Sequence, residues 1–535
     1  MRLVLTLICL LLALPVLGVL GAMFAVDAAA LAGLRHQVAT VMPDYVLQSA
    51  LLAGGVALGV MALGAATAAA VTLFEFPGRR HFEWALLLPL AMPAYVLAYA
   101  WTDALQFSGP VQSGLRQALA LRGALWPDVR SLPMAVVLFV LCLYPYVYLL
   151  TRAALGERAV RLMEAARLLG APMRRRVLEV ALPMARPAIA AGTALALMET
   201  LADYGVGSYF GLTTFSTGIY KAWLVMNDRV AAAQLAAVLL IVVAAVLMAE
   251  RSAQRRLRFA ASRAAAPSAD ARPMVLRGGA ALGMVLLCTA PLLLGFVLPV
   301  AWLARMLWQE AQFSEFGLPL ARFVRWALAS FQLATVAALA ATALSLALAF
   351  VLRRRQGWLL RPAARVLSLG YAVPGAVIAV GILVPVAWVQ ERWPDAGAAA
   401  LVTGTVFGLL YAYLVRFSAV ALQSVEAGYA RVPLSIDETA RMLGSGARRV
   451  FARLHLPLLR RSAGAAALLV FVDVMKELPA TLVLRPFGSD TLAVVAYNLA
   501  RDERLAEAAL PSLAIVAVGL IPVILLSRAL RAPAG

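Results

Sequence analysis

Charge is scarce in this sequence. Of its 535 residues, 14% are charged and 63% are hydrophobic, whereas a soluble domain carries about 25% charged residues. A chain so poor in charge cannot clothe itself in a water-facing surface, which leaves lipid as the solvent for much of it. Lysine is nearly absent: Lys221 and Lys476 stand alone, and neither follows a glycine. A P-loop requires G-x-x-x-x-G-K-[ST], because its lysine reaches the nucleotide phosphates, so the chain has no ATPase motif of its own. Cysteine is equally sparse. Cys9, Cys142 and Cys288 each sit in an apolar stretch with no short spacing, as packing residues do. The histidines, His36, His81 and His455, show no metal-ligand spacing, and His455 is expected on a loop surface. No Cys/His cluster or nucleophile elbow is present, so no catalytic residues, no fixed metal and no cofactor bound by this chain are expected.

Long apolar runs fill the space that charge leaves. A spanning helix needs roughly 20 apolar residues, and helices pair their backbone groups internally. The expected fold is therefore an all-α integral membrane protein. Hydropathy and flanking charge predict about twelve spans, near residues 3–26, 46–74, 84–106, 132–151, 187–203 and 231–250, then 278–302, 327–352, 366–389, 399–420, 463–480 and 507–528. The first run follows Arg2 like a signal peptide, but it exceeds a typical h-region and reads as a retained helix. A net charge of +20 would suit nucleic acid. Here about 32 of the 47 Lys and Arg fall on one side of the predicted topology, as positive-inside orientation requires. The bilayer, not nucleic acid, is the expected partner, with both termini cytoplasmic.

The chain repeats itself. Residues 164–183 read EAARLLGAPMRRRVLEVALP and residues 438–457 read ETARMLGSGARRVFARLHLP, with nine of 20 positions identical at an offset of 274. The same offset places Arg186 on Arg460, Glu199 on Asp473, Asp203 on Glu477, Thr217 on Thr491 and Asp228 on Asp502. Duplication of this kind predicts two homologous six-helix halves: 1–250 with a loop at 152–186, and 278–535 with a loop at 421–462. Between them, 251–277 carries a Pro-interrupted polar stretch and reads as a flexible cytoplasmic linker.

Within each loop, Glu164, Ala165, Ala166, Gly170 and Pro183, and again Glu438, Ala440, Gly444 and Pro457, resemble the EAA loop of binding-protein-dependent ABC importer permeases. Thr439 replaces the middle alanine of the second copy. The resemblance implies a helix–turn–helix that docks on a cytoplasmic ATPase, two such ATPase subunits consuming ATP, a periplasmic substrate-binding protein and a bacterial inner-membrane location. ATP-driven closure of the ATPases would rock the halves between inward and outward access. Residues 199–223 and 473–511 are similar to the fused permeases of iron(III) importers, while relatives of similar build carry thiamine, polyamines, sulfate or phosphonates. A secondary transporter would also use repeats and buried acids; the two coupling loops argue against it.

Ionisable residues inside spans are functional candidates. Glu199 and Asp203, and their counterparts Asp473 and Glu477, are spaced i, i+4 and so are expected to share a helical face. An all-oxygen set of this kind suits the path of a hard cation. The other reading is capping or pairing at helix ends, with Lys476 neutralising one acid. Trp101, Tyr144 and Tyr146 read as interfacial or packing residues.

Overall fold

The computed structural model describes residues 2–24, 28–155, 160–261, 274–313, 317–354 and 360–531. They are helical almost throughout. Ten helices are long and apolar enough to cross a membrane, or up to eleven if one bent pair counts as a span. The predicted span 463–480 falls on helix Leu456–Lys476, which is not among them. It carries Arg460, Arg461, Asp473 and Lys476 near its ends, which lowers its apolar content. Its counterpart is helix Leu182–Ala202, and the two begin and end at the same offset of 274.

The predicted span 84–106 is not one continuous helix. It breaks by 90° between Arg79–Ala91 and Ala94–Leu119. Proline is the cause: Met92, ahead of Pro93, is extended (φ −92, ψ 112), because a residue preceding proline is pushed out of the helical region. The second half repeats the device. Val373 (φ −78, ψ 123) precedes Pro374, and helix Gly375–Arg392 starts afresh.

The linker also differs from expectation. Helix Arg229–Ala261 runs well into 251–277, since its Arg, Gln and Ala residues are good helix formers. Residues 262–273 lie outside the described residues. Met274–Val275 then pair in parallel with Phe74–Glu75.

The helices pack into two compact units. One, here the N-unit, comprises Val38–Thr217, Ile241–Leu318 and Ala496–Gly535; the other, the C-unit, comprises Met1–Gln37, Gly218–Leu240 and Pro319–Val495. The repeat boundary and the packing boundary are thus different partitions of the chain. In the N-unit, helix Met42–Leu73 packs along Leu132–Ala154, and Leu182–Ala202 packs against both. Small residues permit this approach: a Cβ on Gly59 would lie 2.3 Å from Val140, and one on Gly192 would lie 2.6 Å from the Val147 backbone. Helices Leu298–Phe313 and Leu505–Arg531, both from the second half of the sequence, complete this unit. Reciprocally, the amino-terminal helix Arg2–Phe24 packs on Gly375–Arg392 in the C-unit.

Candidate functional site

The two loops have the same backbone design. Helix Val160–Leu168 ends in a turn at Gly170 (φ +78), and helix Leu434–Met442 ends at Gly444 (φ +70). In both, the glycine N–H and the N–H that follows it return to the helix: Gly170 to Arg167 and Ala171 to Ala166, then Gly444 to Arg441 and Ser445 to Ala440, all at 2.9 Å. This left-handed glycine closure satisfies carbonyls that the helix end leaves open. Space around both glycines is free, so their requirement is conformational. A second helical segment follows, with π-helical stretches at Arg176–Ala181 and Phe451–His455. Pro183 and Pro457 lie just beyond. Lacking an N–H, each proline interrupts the normal ladder, and π geometry is how a helix absorbs such a break.

Glu438 and Ala165 are exposed, whereas Ala440 is buried; the Glu164 side chain lies outside the described residues. The tips carry apolar pairs that sequence reasoning did not single out. Leu168 and Leu169 are each 88% exposed, and at the equivalent positions Met442 is 89% and Leu443 79% exposed. Both loops thus leave a pair of apolar side chains uncovered at matching positions. The signal available in the sequence was their coincidence at the repeat offset.

The second loop is anchored by polar groups. Arg353 Nε donates to Asp437 Oδ2 at 2.7 Å, and its Nη2 donates to the Val432 and Pro433 carbonyls at 2.8 and 2.9 Å. His455 Nε2 lies 2.6 Å from Asp437 Oδ1, and its Nδ1 lies 3.1 Å from the Tyr429 hydroxyl. His455 is therefore not a surface residue; it is fully buried, because Asp437 and Tyr429 supply its polar partners and Phe350 packs edge-on against its ring. Burial pushes its pKa down from 6.5, with Asp437 opposing. The first loop has Met163 and Ala181 at the equivalent positions, both buried, so its anchor there is apolar.

The i, i+4 pairs stand at the ends of their helices. Helices Leu182–Ala202 and Leu456–Lys476 stop one residue before Asp203 and Glu477, whose backbones are extended (ψ 135 and 121). Each of these acids turns forward to cap the next short helix. Asp203 Oδ2 accepts the N–H groups of Val206 and Gly207 at 2.8 and 3.4 Å. Glu477 accepts those of Ala480 and Thr481 at 2.8 and 2.9 Å. Such caps satisfy donors that lipid cannot. Glu477 also pairs with Arg416 at 3.2 Å, and its side chain is 1% exposed. The other two acids remain within their helices. Glu199 and Asp473 are half-buried, and Lys476 Nζ lies 3.8 Å from Asp473. The packing expected of the aromatics is present: Trp101 donates to the Leu294 carbonyl at 3.1 Å and Tyr144 to that of Leu86 at 3.0 Å.

Beside Asp203 the N-unit gathers phenols. The Tyr497 hydroxyl lies 2.8 Å from Ser208 Oγ and donates to the Tyr204 hydroxyl at 3.3 Å. Tyr99 meets Tyr209 edge-on, with ring centroids 4.8 Å apart, and packs 5.8 Å from Tyr95. Tyr99 is 1% exposed, and its hydroxyl has no hydrogen-bond partner among the described residues, a state that costs about 1–3 kcal/mol. Arg130 Nη2 donates to the Tyr209 hydroxyl at 3.3 Å and pairs with Glu503 at 2.8 Å. Above them is a cavity of about 430 Å³, lined in part by Thr102, Asp128, Arg130 and Glu503.

Comparison with known proteins follows the same lines. Residues 61–258 match the family described as binding-protein-dependent transport system inner membrane component. The "Fe(3+)-transport system permease protein FbpB 2" of Haemophilus influenzae is 25% identical over 499 residues, covering 91% of this chain and 90% of that protein. The "Putative 2-aminoethylphosphonate transport system permease protein PhnV" of Salmonella typhimurium is 29% identical over 164 residues, 30% of this chain and 59% of that protein. A second protein of that description, PhnU of Salmonella choleraesuis, is 24% identical over 183 residues, 34% of this chain and 64% of that protein.

Proposed function

The chain belongs to the binding-protein-dependent transport permeases, and from that premise we propose that it is the membrane subunit of an ATP-driven importer of iron(III). The observation that carries the cargo is extent. Similarity to the Fe(3+) permease runs through 91% of this chain and so includes both halves, whereas the PhnV match covers 30%. Two cytoplasmic ATPase subunits dock on the loops at 152–186 and 421–462, with Gly170 and Gly444 setting the turns and the exposed tip pairs entering the ATPase surfaces. Glu164, Ala165, Ala166 and Pro183 belong to the first docking element, and Glu438, Ala440 and Pro457 to the second. A periplasmic binding protein delivers the ion. The chain lies in the bacterial inner membrane with both termini cytoplasmic and binds no nucleotide itself.

Glu199 and Asp473 are the pathway acids on this reading, because they stay within helices, half-buried. Asp203 and Glu477 flank the path while holding the helix breaks in shape. A 2-aminoethylphosphonate cargo is the second reading, favoured by the PhnV and PhnU matches. Uptake of radiolabelled ferric ion by cells expressing the chain with its transport partners, challenged with excess 2-aminoethylphosphonate, separates the two. Iron uptake indifferent to the phosphonate is expected. Uptake of labelled phosphonate with none of iron would overturn the cargo.

A further inference from the structure

The two units share their acid caps and helix breaks, but the phenols that gather beside Asp203, drawn from both halves of the sequence, lie in the N-unit. At the repeat offset, Tyr204 faces Leu478, Ser208 faces Leu482, Tyr209 faces Val483 and Tyr497 faces Trp223. The C-unit is apolar at these four positions, and the phenols at its own helix break are hydrogen-bonded, the Tyr413 hydroxyl to Thr481 at 2.7 Å and the Tyr220 hydroxyl to the Pro479 carbonyl. The N-unit has nonetheless placed Tyr99 beside Tyr209 with its hydroxyl buried and without a hydrogen-bond partner among the described residues. Tyr95, Tyr209, Tyr497 and Asp203 are its titratable neighbours. Both cap bonds to Asp203 use Oδ2, which leaves Oδ1 outside the cap.

We infer that Tyr99, Tyr204, Tyr209 and Tyr497, with Asp203, form a transient site for the transported ferric ion in the N-unit. The inference rests on the iron reading above and adds the ligands. Among the described residues, no group of three or more His, Cys, Asp and Glu could hold a metal. Here the donors are phenols, a serine hydroxyl and a carboxylate, an all-oxygen set. Hard cations take oxygen ligands, and phenolate is a proven ligand of ferric iron. Each phenol that ligates as phenolate releases one proton to solvent. The set also bears on cargo, since a phosphonate needs several cationic or N–H donors. Arg130, the guanidinium at Tyr209, is already paired with Glu503. A polar cavity adjoins Arg130, whose Nη2 donates to the Tyr209 hydroxyl.

The test uses the full chain in lipid nanodiscs, titrated with ferric citrate. Ferric phenolates absorb in the visible through ligand-to-metal charge transfer, a signature that a packing role does not produce. The wild type is expected to develop this band. Tyr99→Phe/Tyr497→Phe should lose at least four-fifths of it and slow ferric uptake in cells at least tenfold, while Tyr146→Phe, outside the cluster, changes neither. Tyr99→Phe alone removes an unpartnered hydroxyl, so its melting temperature should not fall even as uptake does. Iron uptake by the wild type with no band, or equal uptake by the double variant, overturns this site and leaves the cargo standing. No iron uptake by the wild type overturns the cargo reading and the site with it.

Discussion

At the scale of residues, four equivalent acids divide into two jobs. Asp203 and Glu477 are fixed by backbone donors, and Glu477 also faces the buried Arg416. Glu477→Gln leaves that guanidinium without its counter-charge, an imbalance worth about 3–5 kcal/mol, and should lower the thermal stability of the purified chain. Glu199→Gln and Asp473→Asn, at half-buried positions, should lower stability less than Glu477→Gln. They should impair ferric uptake more than they impair ATPase stimulation by the loaded binding protein. Normal uptake in both variants would move Glu199 and Asp473 from the path to the scaffold. The sequence showed that these positions correspond, but not that Asp203 and Glu477 fall just past a helix end. That depends on where the ladder stops, which the i, i+4 spacing does not encode.

Elements were legible where a local rule governs them. Glycine at matched positions announced both turns, and both adopt the left-handed backbone that glycine admits without strain. The paired helix breaks were legible in principle, since Pro93 and Pro374 force the preceding residue to extend. Apolar content, which defines a span, is indifferent to a bend and so does not reveal it. The anchors of the loops were not legible: His455 is buried by contacts with Tyr429 and Phe350, residues distant in sequence. This anchor gives the second loop a pH response that the first lacks. Burial lowers the His455 pKa below 6.5, so the unfolded loop binds the proton more tightly than the folded one. Stability therefore falls as pH drops below about 6.5 toward the lowered folded value, then levels off. Hydrogen exchange, corrected for its intrinsic rate, should rise in 434–455 between pH 7 and pH 5 and stay flat in 160–181. Equal responses in the two loops would remove His455 as the cause.

For the whole molecule, duplication was readable and packing was not. The offset of 274 carries the ends of helices Leu182–Ala202 and Leu456–Lys476, the two glycine turns and the acid caps from one copy to the other, because each is set by nearby sequence. Which helix joins which unit depends on faces that meet across hundreds of residues. The amino-terminal helix packs in the C-unit, and helix Leu505–Arg531 falls in the N-unit. One docking loop lies in each unit, so the account requires both to engage separate ATPases for transport to run. The direct measurement is ferric uptake into proteoliposomes holding the permease with its ATPase subunits, binding protein outside and ATP inside. Wild-type uptake should depend on ATP and survive collapse of the ion gradients. Gly170→Val/Gly444→Val, whose β-branched side chains disfavour the left-handed turn, should abolish it while the permease remains folded and inserted. Uptake that continues without ATP but follows an imposed ion gradient, or full transport by the double variant, would contradict the account.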